Sequence, residues 1–386
     1  MHLKFALPLL LLAANLAHAQ TTADDLLQAP AGLGQMTRQD GQWVRLKGLN
    51  YNLIQHTHKR PVDLKQLDRY KSWGFNFVRF PINWNFLEPT PGNIDWSYVA
   101  EIETLVAEAD KRQMWVLISM HQWNTSQCFQ SDWGSGFPGW FVEDMLAGAC
   151  TSSNQPEFWD AFWSNQTVSA GPHAGQKAWD VYSDAWRTVA WRLRNYHNLA
   201  GWDVINEPHP GRTIGSGQLN SAILPQFYQY VGTRIRWSDR RDLDNKSHML
   251  FVEGDVGTVR PELAKPDLTN FVLTPHFYPQ ADQGAGAVAY NNRDCAGLVA
   301  VIQPLLDKAG AWGVPMVMGE FGADVVQDGN KALSLAKHTS RIVSANGQSW
   351  AWWPFEDYAV EDLPYRPEVA ELQNNLLVFS GDKCVP

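Results

Sequence analysis

The chain has 386 residues, 40 of them acidic and 31 basic, which gives a formal net charge of −9 at pH 7. This acidic balance argues against a nucleic-acid backbone as a partner. The length suits one barrel-sized domain whose core is large enough to be stable without a metal, and we expect a monomer.

The first residues resemble an export signal. The apolar run Phe5–Leu16 follows a short basic start, and Ala17-His18-Ala19 places small residues where signal peptidase cleaves. A run of about 12 apolar residues is too short for a bilayer, which takes roughly 20, and no later run is long enough. We expect residues 1–19 to be removed, residues 20–386 to form a single domain, and the protein to be secreted or periplasmic.

Eight short apolar runs recur along the chain, with helix-like stretches between most of them. Each run is nearly continuous in apolar character, as are strands of a parallel sheet that is buried on both faces. The runs are Trp43–Tyr51, Phe75–Ile82, Met114–His121, Gly201–Glu207, His248–Glu253, Asn270–Tyr278, Val314–Phe321 and Ser349–Phe355.

The stretches between the runs have helical spacing. Tyr98–Arg112 repeats apolar residues at a period of 3.6 and ends in basic residues. Asp63–Trp73, Ala178–Tyr196 and Leu298–Trp312 are similar. Eight β-then-α units predict an α/β fold of the (β/α)8 TIM-barrel class. The alternative is an open, doubly wound sheet, which needs no eighth strand.

The connection after the third run, Gln122–Gln176, is unusually long. Loops beyond about 12–15 residues are usually functional or disordered, and an aromatic-rich composition is not that of a disordered chain. We therefore predict a folded, disulfide-stapled excursion over the mouth of the barrel. It contains two cysteines and Trp123, Trp133, Trp140, Trp159 and Trp163.

The four cysteines are Cys128, Cys150, Cys295 and Cys384. In an exported protein an even number allows two disulfides, and no C-x-x-C pair typical of zinc sites occurs. We expect Cys128 to pair with Cys150, closing a local loop, and Cys295 with Cys384, tying down the C-terminus. The alternative is four buried thiols.

Polar residues end several of the apolar runs. The active site of a TIM barrel lies at the C-terminal ends of its strands, so Arg79, His121, Asn206, Glu207 and Glu320 would converge on one cavity. Each residue alone has an ordinary structural explanation, such as a solvated position on the rim. Their recurrence at the end of run after run indicates a site.

These residues carry a resemblance to a known family. Trp202–Pro208 (WDVINEP), followed about 110 residues later by Met318–Gly322 (MGEFG), resembles glycoside hydrolase family 5. Further segments match in the family's order: Val78–Asn83, Ile118–Gln122, Thr274–Pro279 and Ser349–Phe355. The resemblance implies a retaining β-glycosidase that needs neither a metal nor a cofactor.

The resemblance also implies a role for each matched residue. Glu207 would be the acid/base and Glu320 the nucleophile of a double displacement. Arg79 would keep the nucleophile ionised, and Asn206 would bind the sugar 2-hydroxyl. The other predicted subsite residues are His121, His276, Tyr278 and a floor formed by Trp353, for which Trp350 and Trp352 are alternatives.

Two positions depart from the family's patterns. Ser119 stands where many members have an aspartate, which bears on the finer sugar contacts. Asn154–Pro210 and the pair His121-Gln122 resemble the endoglycoceramidase-related branch, whose members cleave between a glycan and ceramide. That branch often has aspartate after the pair, whereas this chain has Trp123.

Several functions therefore remain open. The substrate is a glycolipid or another β-glycoside with an apolar aglycone, or else a polysaccharide cleaved by an endo-β-1,4-glucanase or β-mannanase. A third hypothesis is a non-catalytic carbohydrate-binding protein, which would be expected to lose one of the two glutamates. The segment 134–139 matches G-x-G-x-x-G but does not join a strand to a helix, so we predict no dinucleotide site.

Overall fold

The computed structural model describes residues 26–51, 63–130, 134–256, 262–278, 295–322 and 330–353, without the side chains of 295 and 330–333. The expected signal peptide (1–19) lies outside these ranges. So does Cys384, and with it the expected Cys295–Cys384 disulfide. The single-domain boundary at 20–386 therefore stays a prediction.

A parallel sheet that closes on itself forms the centre of the fold. Its strands are β3 (Lys47–Asn50), β4 (Phe77–Asn83), β5 (Trp115–His121), β6 (Leu199–Asp203), β7 (Met249–Val252), β8 (Phe271–Leu273), β9 (His276–Phe277), β10 (Val317–Phe321) and β11 (Ser349–Trp352). Neighbours along the sheet pair in parallel, from β8 through β7 to β3 and on through β11 to β9.

The sheet closes because β8 and β9 belong to one stretch of chain, interrupted at Thr274-Pro275. β8 pairs with β7, and Leu273 at its end bridges in parallel to Met316 just before β10. β9 then pairs with β10 through His276 and Glu320. The two segments thus act as one of eight strand positions, and the predicted TIM barrel is confirmed.

Helices alternate with the strands and cover the barrel. They are α1 (Leu64–Ser72), α2 (Trp84–Leu87), α3 (Trp96–Lys111), α4 (Gly139–Leu146), α5 (Gln155–Trp163), α6 (Ala178–Leu193), α7 (Ser216–Gln218), α8 (Leu224–Ser238), α9 (Cys295–Trp312) and α10 (Asn330–Ala345). Asp63 and Asp95 cap α1 and α3 by accepting hydrogen bonds from backbone N–H groups of the first turn. Among these helices none has the length and apolar character needed to cross a bilayer.

The first predicted strand is partly wrong. Trp43–Val44 (β2) does not join the barrel but pairs antiparallel with β1 (Met36–Thr37). Only Lys47–Asn50 continues into the sheet, where Gly48 allows close approach to β4. A Cβ on Gly48 would lie 1.8 Å from the Phe77 carbonyl oxygen, so a side chain cannot be accommodated there.

One face of each strand lines the interior of the barrel and changes character along its length. Near the N-terminal ends this face is apolar, with Phe77, Leu117 and Phe251 packed together. Residues two positions further along a strand share that face, and there the side chains are polar. They are Asn50, Arg79, Ser119, Asp203 and Glu253, all buried. The barrel therefore has an apolar floor beneath a polar upper layer.

The excursion after β5 is folded, as predicted. Phe137 lies at its centre, with ring centroids of Phe158, Phe162 and Trp159 at 5.0, 5.1 and 5.5 Å. Aromatic contacts of this kind each contribute about 0.5–1.5 kcal/mol beyond the burial of area. The excursion packs on the end of β4, where the Gly136 N–H donates to Asn83 Oδ1 at 3.0 Å. It therefore stands at the C-terminal end of the barrel.

The expected Cys128–Cys150 disulfide is present, with a Cα–Cα distance of 5.8 Å and a sequence separation of 22. It ties the start of the excursion to the segment after α4. Closing a loop of this length restricts the unfolded chain and is worth about 3 kcal/mol in the chain-entropy description.

We predict that replacing both cysteines with serine lowers the free energy of unfolding by about 3 kcal/mol. Urea denaturation followed by tryptophan fluorescence measures the change. Reductant should lower the midpoint of the wild-type protein by more than that of the double variant, which keeps only Cys295 and Cys384. Equal midpoints for the two oxidised proteins would contradict the assigned stabilising role.

Candidate active site

Arg79, on β4, is the centre of the polar upper layer. Its guanidinium is fully buried and donates to the Asp203 carboxylate from Nε at 3.0 Å and from Nη2 at 2.7 Å. Nη1 donates to Glu320 Oε1 at 2.5 Å. The other acceptors, each at 2.6–2.9 Å, are Asn50 Oδ1, Ser119 Oγ and Asn206 Oδ1. One side chain therefore links β3, β5, β6 and β10.

Glu320, on β10, is held at both carboxylate oxygens. Oε1 accepts from Arg79, and Oε2 accepts from the Tyr278 hydroxyl at 2.8 Å. Burial raises the pKa of Glu320 above its usual value, while Arg79 and the Tyr278 hydroxyl oppose the rise. Arg79 thus limits the shift that burial imposes on this carboxyl group.

Glu207 lies four residues after the end of β6 and has an uncommon backbone. Its φ of 43° is in the left-handed region, which is unfavourable for residues with a side chain. The surroundings hold this conformation from both sides. The Glu207 N–H donates to Glu253 Oε1 at 2.8 Å, and its carbonyl oxygen accepts from Gln122 Nε2 at 2.6 Å. Strain maintained in this way is typical of functional sites.

The Glu207 side chain faces Glu320 across His276. His276 Nδ1 lies 3.0 Å from Glu207 Oε1 and 3.6 Å from Glu320 Oε2. One carboxylate oxygen of each glutamate and a ring nitrogen of His276 all lie within 4.8 Å of one another. The two carboxyl groups are therefore close enough to act on the two sides of a single bond.

The two glutamates differ in their partners and hence in their acidity. Burial raises the pKa of Glu207 to about 7, against a smaller opposing effect of Arg79. Burial lowers the pKa of His276 to about 4, so this ring is neutral near pH 7. Glu320 has a direct bond to a cation, and Glu207 has a neutral imidazole instead. Glu207 is thus suited to hold a proton, whereas the contact with Arg79 stabilises the ionised form of Glu320.

The structure brings the remaining predicted residues to the same end of the barrel. The His121 ring stacks on Trp353 with centroids 5.5 Å apart and 15° between the planes. Asn206 is fully buried, and its Nδ2 donates to the Gln122 carbonyl oxygen at 3.1 Å. Trp350 and Trp352, the alternatives to Trp353, are completely buried in the core and therefore cannot form a sugar-binding floor.

Sequence reasoning missed Asp203 and gave no role to Glu253, although Glu253 ends one of the apolar runs. Asp203 is the main anionic partner of Arg79, and Glu253 accepts the backbone N–H of Glu207. A period-two signal could have found both, because Asp203 lies two residues after Gly201 and Glu253 two after Phe251 on inward faces. Ser119, which stands in place of an aspartate, accepts a hydrogen bond from Arg79.

Glu207, His276 and Glu320 together offer ligand atoms that are close enough to hold a cation. The same atoms are already engaged by Arg79, Tyr278 and one another, and they are the groups that acid and nucleophilic chemistry would use. The expectation that no metal takes part stays a prediction.

The raised pKa of Glu207 makes folding stability depend on pH. A carboxyl group whose folded pKa is about 7 against 4.5 contributes fully below pH 4.5, and its contribution is lost as the pH rises through 7. We predict that Glu207→Gln raises the free energy of unfolding by about 3 kcal/mol at pH 8 and has little effect at pH 4.5. Urea denaturation at the two pH values measures this, with the exposed Glu143→Gln as control. A gain independent of pH would contradict the assignment.

Comparison with known proteins identifies the family to which the sequence is similar. Residues 37–359 match the family described as Cellulase (glycosyl hydrolase family 5). Endoglycoceramidase I of Rhodococcus hoagii is 26% identical over 332 residues, which cover 76% of this chain and 60% of that protein. Cellulase/esterase CelE of Acetivibrio thermocellus is 20% identical over 303 residues, or 74% of this chain and 32% of the relative.

A solved structure of endo-glycoceramidase II from Rhodococcus sp., in a cellobiose-like imidazole complex, has the same fold. Its TM-score is 0.65 at 23% sequence identity, covering 85% of this chain and 76% of that one. The chain spans 60% or less of the length of the two curated relatives. The match to residues 37–359 covers most of the sequence, so the chain belongs to glycosyl hydrolase family 5.

Proposed function

We propose that this protein is a retaining β-glycoside hydrolase that works by double displacement, with Glu207 as acid/base and Glu320 as nucleophile. The short distance between the two carboxyl groups is the main support for this proposal, since one oxygen of Glu207 and one of Glu320 lie within 4.8 Å of each other. Retaining enzymes hold their two carboxyl groups about 5–5.5 Å apart, whereas inverting enzymes leave about 6.5–9.5 Å for a water.

In the first step a Glu320 oxygen attacks the anomeric carbon while Glu207 protonates the glycosidic oxygen. The carbon–oxygen bond to the aglycone breaks, the aglycone leaves as an alcohol, and a covalent glycosyl–Glu320 ester remains. Arg79 and Tyr278 orient the nucleophile. The proton comes from Glu207 because burial keeps this carboxyl group protonated to about pH 7.

In the second step Glu207, now ionised, accepts a proton from a water molecule. The water oxygen attacks the anomeric carbon and displaces the Glu320 carboxylate, so the sugar is released with its original configuration and Glu207 is protonated again. His276 Nδ1, 3.0 Å from Glu207 Oε1, is placed to stabilise the carboxylate between the two steps.

The neighbouring side chains suit the recognition of a sugar. Arg79 and the Gln122 carbonyl fix the Asn206 amide, which leaves its second N–H for a ring hydroxyl. The stacked pair of His121 and Trp353 presents a flat surface beside the site, and such faces suit the C–H faces of sugar rings.

We propose a glycolipid or another β-glycoside with an apolar aglycone as the substrate. This proposal is supported by relatives that are themselves endoglycoceramidases. The excursion contributes less apolar surface than its composition suggested, because Trp159 and Trp163 are core residues at 1% and 3% exposure. Trp123, at 47% exposure, follows Gln122 directly and can serve as an aromatic platform at the mouth.

A polysaccharide substrate is the alternative, supported by the relative that is a cellulase/esterase. The non-catalytic hypothesis is disfavoured because both glutamates are present with engaged partners. The Cys128–Cys150 disulfide supports the proposed secreted or periplasmic location, since such bonds persist in oxidising compartments.

The assignment of the two glutamates predicts different behaviour for their alanine variants. Glu320→Ala should lose activity by about 10⁴-fold or more, and azide should rescue it to give a glycosyl azide of inverted configuration. Glu207→Ala should lose about 10²–10⁴-fold on poor leaving groups but little on dinitrophenyl glycosides in the glycosylation step. NMR of the first-formed product of the wild type identifies the anomer, and an inverted anomer would refute the double displacement.

The substrate class is tested by a panel presented to the pure enzyme. It comprises a glycosylceramide in detergent, an aryl β-glucoside, carboxymethylcellulose, β-mannan and mixed-linkage glucan. We expect release of an intact glycan from the glycolipid, and Trp123→Ala should raise the KM for this substrate more than for the aryl glucoside. The exposed Trp237→Ala serves as control. A rapid fall in polysaccharide viscosity without glycolipid cleavage would favour the alternative.

A further inference from the structure

Glu253 is a buried carboxyl group that the double displacement does not use. It follows β7 directly and is only 3% exposed. Tyr228 of α8 fixes its backbone, donating its hydroxyl to the Glu253 carbonyl oxygen at 2.7 Å and accepting from the Glu253 N–H at 3.2 Å. An acidic residue held this firmly in the interior calls for a function, because burial of an unpaired charge is costly.

Both carboxyl oxygens of Glu253 lead to Glu207. Oε1 accepts the Glu207 backbone N–H at 2.8 Å and so helps to hold the left-handed conformation of that residue. Oε2 faces His276 Nε2 at 3.7 Å. His276 in turn contacts the Glu207 carboxyl group through Nδ1 at 3.0 Å. Glu253 therefore contacts Glu207 directly, at the Glu207 backbone N–H, and indirectly, through the His276 ring.

The space between Glu253 and His276 is narrow. A cavity of about 20 Å³ is lined by these two residues and Glu207, together with Asp255 and Lys308. A cavity of this volume has room for about one water molecule. At 3.7 Å, Oε2 and Nε2 are beyond hydrogen-bond length, and Nε2 has no other hydrogen-bond partner among the described residues. A small approach of the two groups, or one bridging water, would join them with the same donor and acceptor.

The protonation state of Glu253 decides the tautomer of His276. A protonated Oε2 donates towards Nε2, so Nδ1 carries the hydrogen and donates to Glu207 Oε1. The proton of Glu207 is then on its other oxygen and free for the glycosidic oxygen. An ionised Glu253 would favour the tautomer with its hydrogen on Nε2. Glu207 would then donate its proton to Nδ1 and not to the glycosidic oxygen.

The charges around Glu253 favour the protonated form. Ionisation of Glu207, Glu253, Glu320 and Asp203 together would place four negative charges around one buried guanidinium, that of Arg79. Burial and the carboxylates of Asp203 and Glu207 all raise the pKa of Glu253 well above its usual value. The titratable groups facing it from neighbouring elements are Arg79, Asp203, Glu207, Tyr228, Asp255, His276 and Lys308.

We propose that Glu253 is a positioning residue that stays protonated in the resting enzyme, sets the tautomer of His276 and thereby directs the proton of Glu207 to the substrate. This inference rests on the proposed function. It adds a third carboxyl group to the two that perform the reaction, with a role exerted only through His276 and the Glu207 backbone.

The test compares Glu253→Gln with Glu253→Leu. Glutamine mimics the protonated acid, since its oxygen can accept the Glu207 N–H and its amide can donate to His276 Nε2. We expect Glu253→Gln to keep kcat within about threefold and the alkaline limb of the kcat/KM profile within about half a pH unit. Glu253→Leu removes both contacts and should lose about 10²-fold on substrates that need protonation, but only a few-fold on a dinitrophenyl glycoside.

Two outcomes would overturn the proposal. A fall of the alkaline limb by more than one pH unit in Glu253→Gln would mean that Glu253 works as an anion. Equal losses on good and poor leaving groups in Glu253→Leu would mean a merely structural role.

A measurement without activity separates this inference from the proposed function. Glu207 also holds a proton near pH 7 and contributes a carboxyl band of its own. Infrared spectra at pH 7 should therefore contain a second protonated-carboxyl C=O band that disappears in Glu253→Gln and persists in Glu207→Gln and Glu143→Gln. A missing band would refute the protonated Glu253 even in an active enzyme. Wild-type protein that shows the band and cleaves no β-glycoside would instead refute the proposed function.

Discussion

The site depends on one buried cation. The Arg79 guanidinium has no exposed surface, and removing such a group from water costs several kcal/mol unless it is paired and hydrogen-bonded. Asp203 and Glu320 supply the opposing charge, and Asn50, Ser119 and Asn206 accept its other hydrogen bonds. These partners come from different strands. The same guanidinium therefore connects several strands of the barrel, pairs its own buried charge and orients the candidate nucleophile.

Arg79 also gives Glu320 and Glu207, which have the same side chain, different surroundings. Glu320 touches Arg79 directly, whereas Glu207 touches the neutral ring of His276. Burial raises the pKa of both glutamates and Arg79 opposes the rise at both, but only Glu320 is in direct contact with the guanidinium. Two carboxyl groups in different surroundings can serve as acid and nucleophile at the same pH.

The excursion after β5 links the stability of the fold to the geometry of the site. Its aromatic core buries Trp159 and Trp163 against Phe137 and Phe227, so these two tryptophans are part of the packed interior. Gln122, at its start, holds the carbonyl oxygen of Glu207. The uncommon backbone of Glu207, the proposed acid/base, is thus maintained by packing away from its carboxyl group.

The sequence alone predicts the barrel, because strands buried on both faces leave long apolar runs and helices repeat at 3.6 residues. It also places Glu207 and Glu320 at strand ends, since polar residues there interrupt apolar runs. The tertiary structure decides which residues the strand register and the closure of the barrel bring into contact. The pairing of Arg79 with Asp203, the hold of Glu253 on Glu207 and the departure of Trp43–Val44 from the barrel depend on neighbours more than 30 residues away or on a separate hairpin. A local sequence pattern indicates which face of a strand or helix a residue occupies, but not which side chain it contacts on that face.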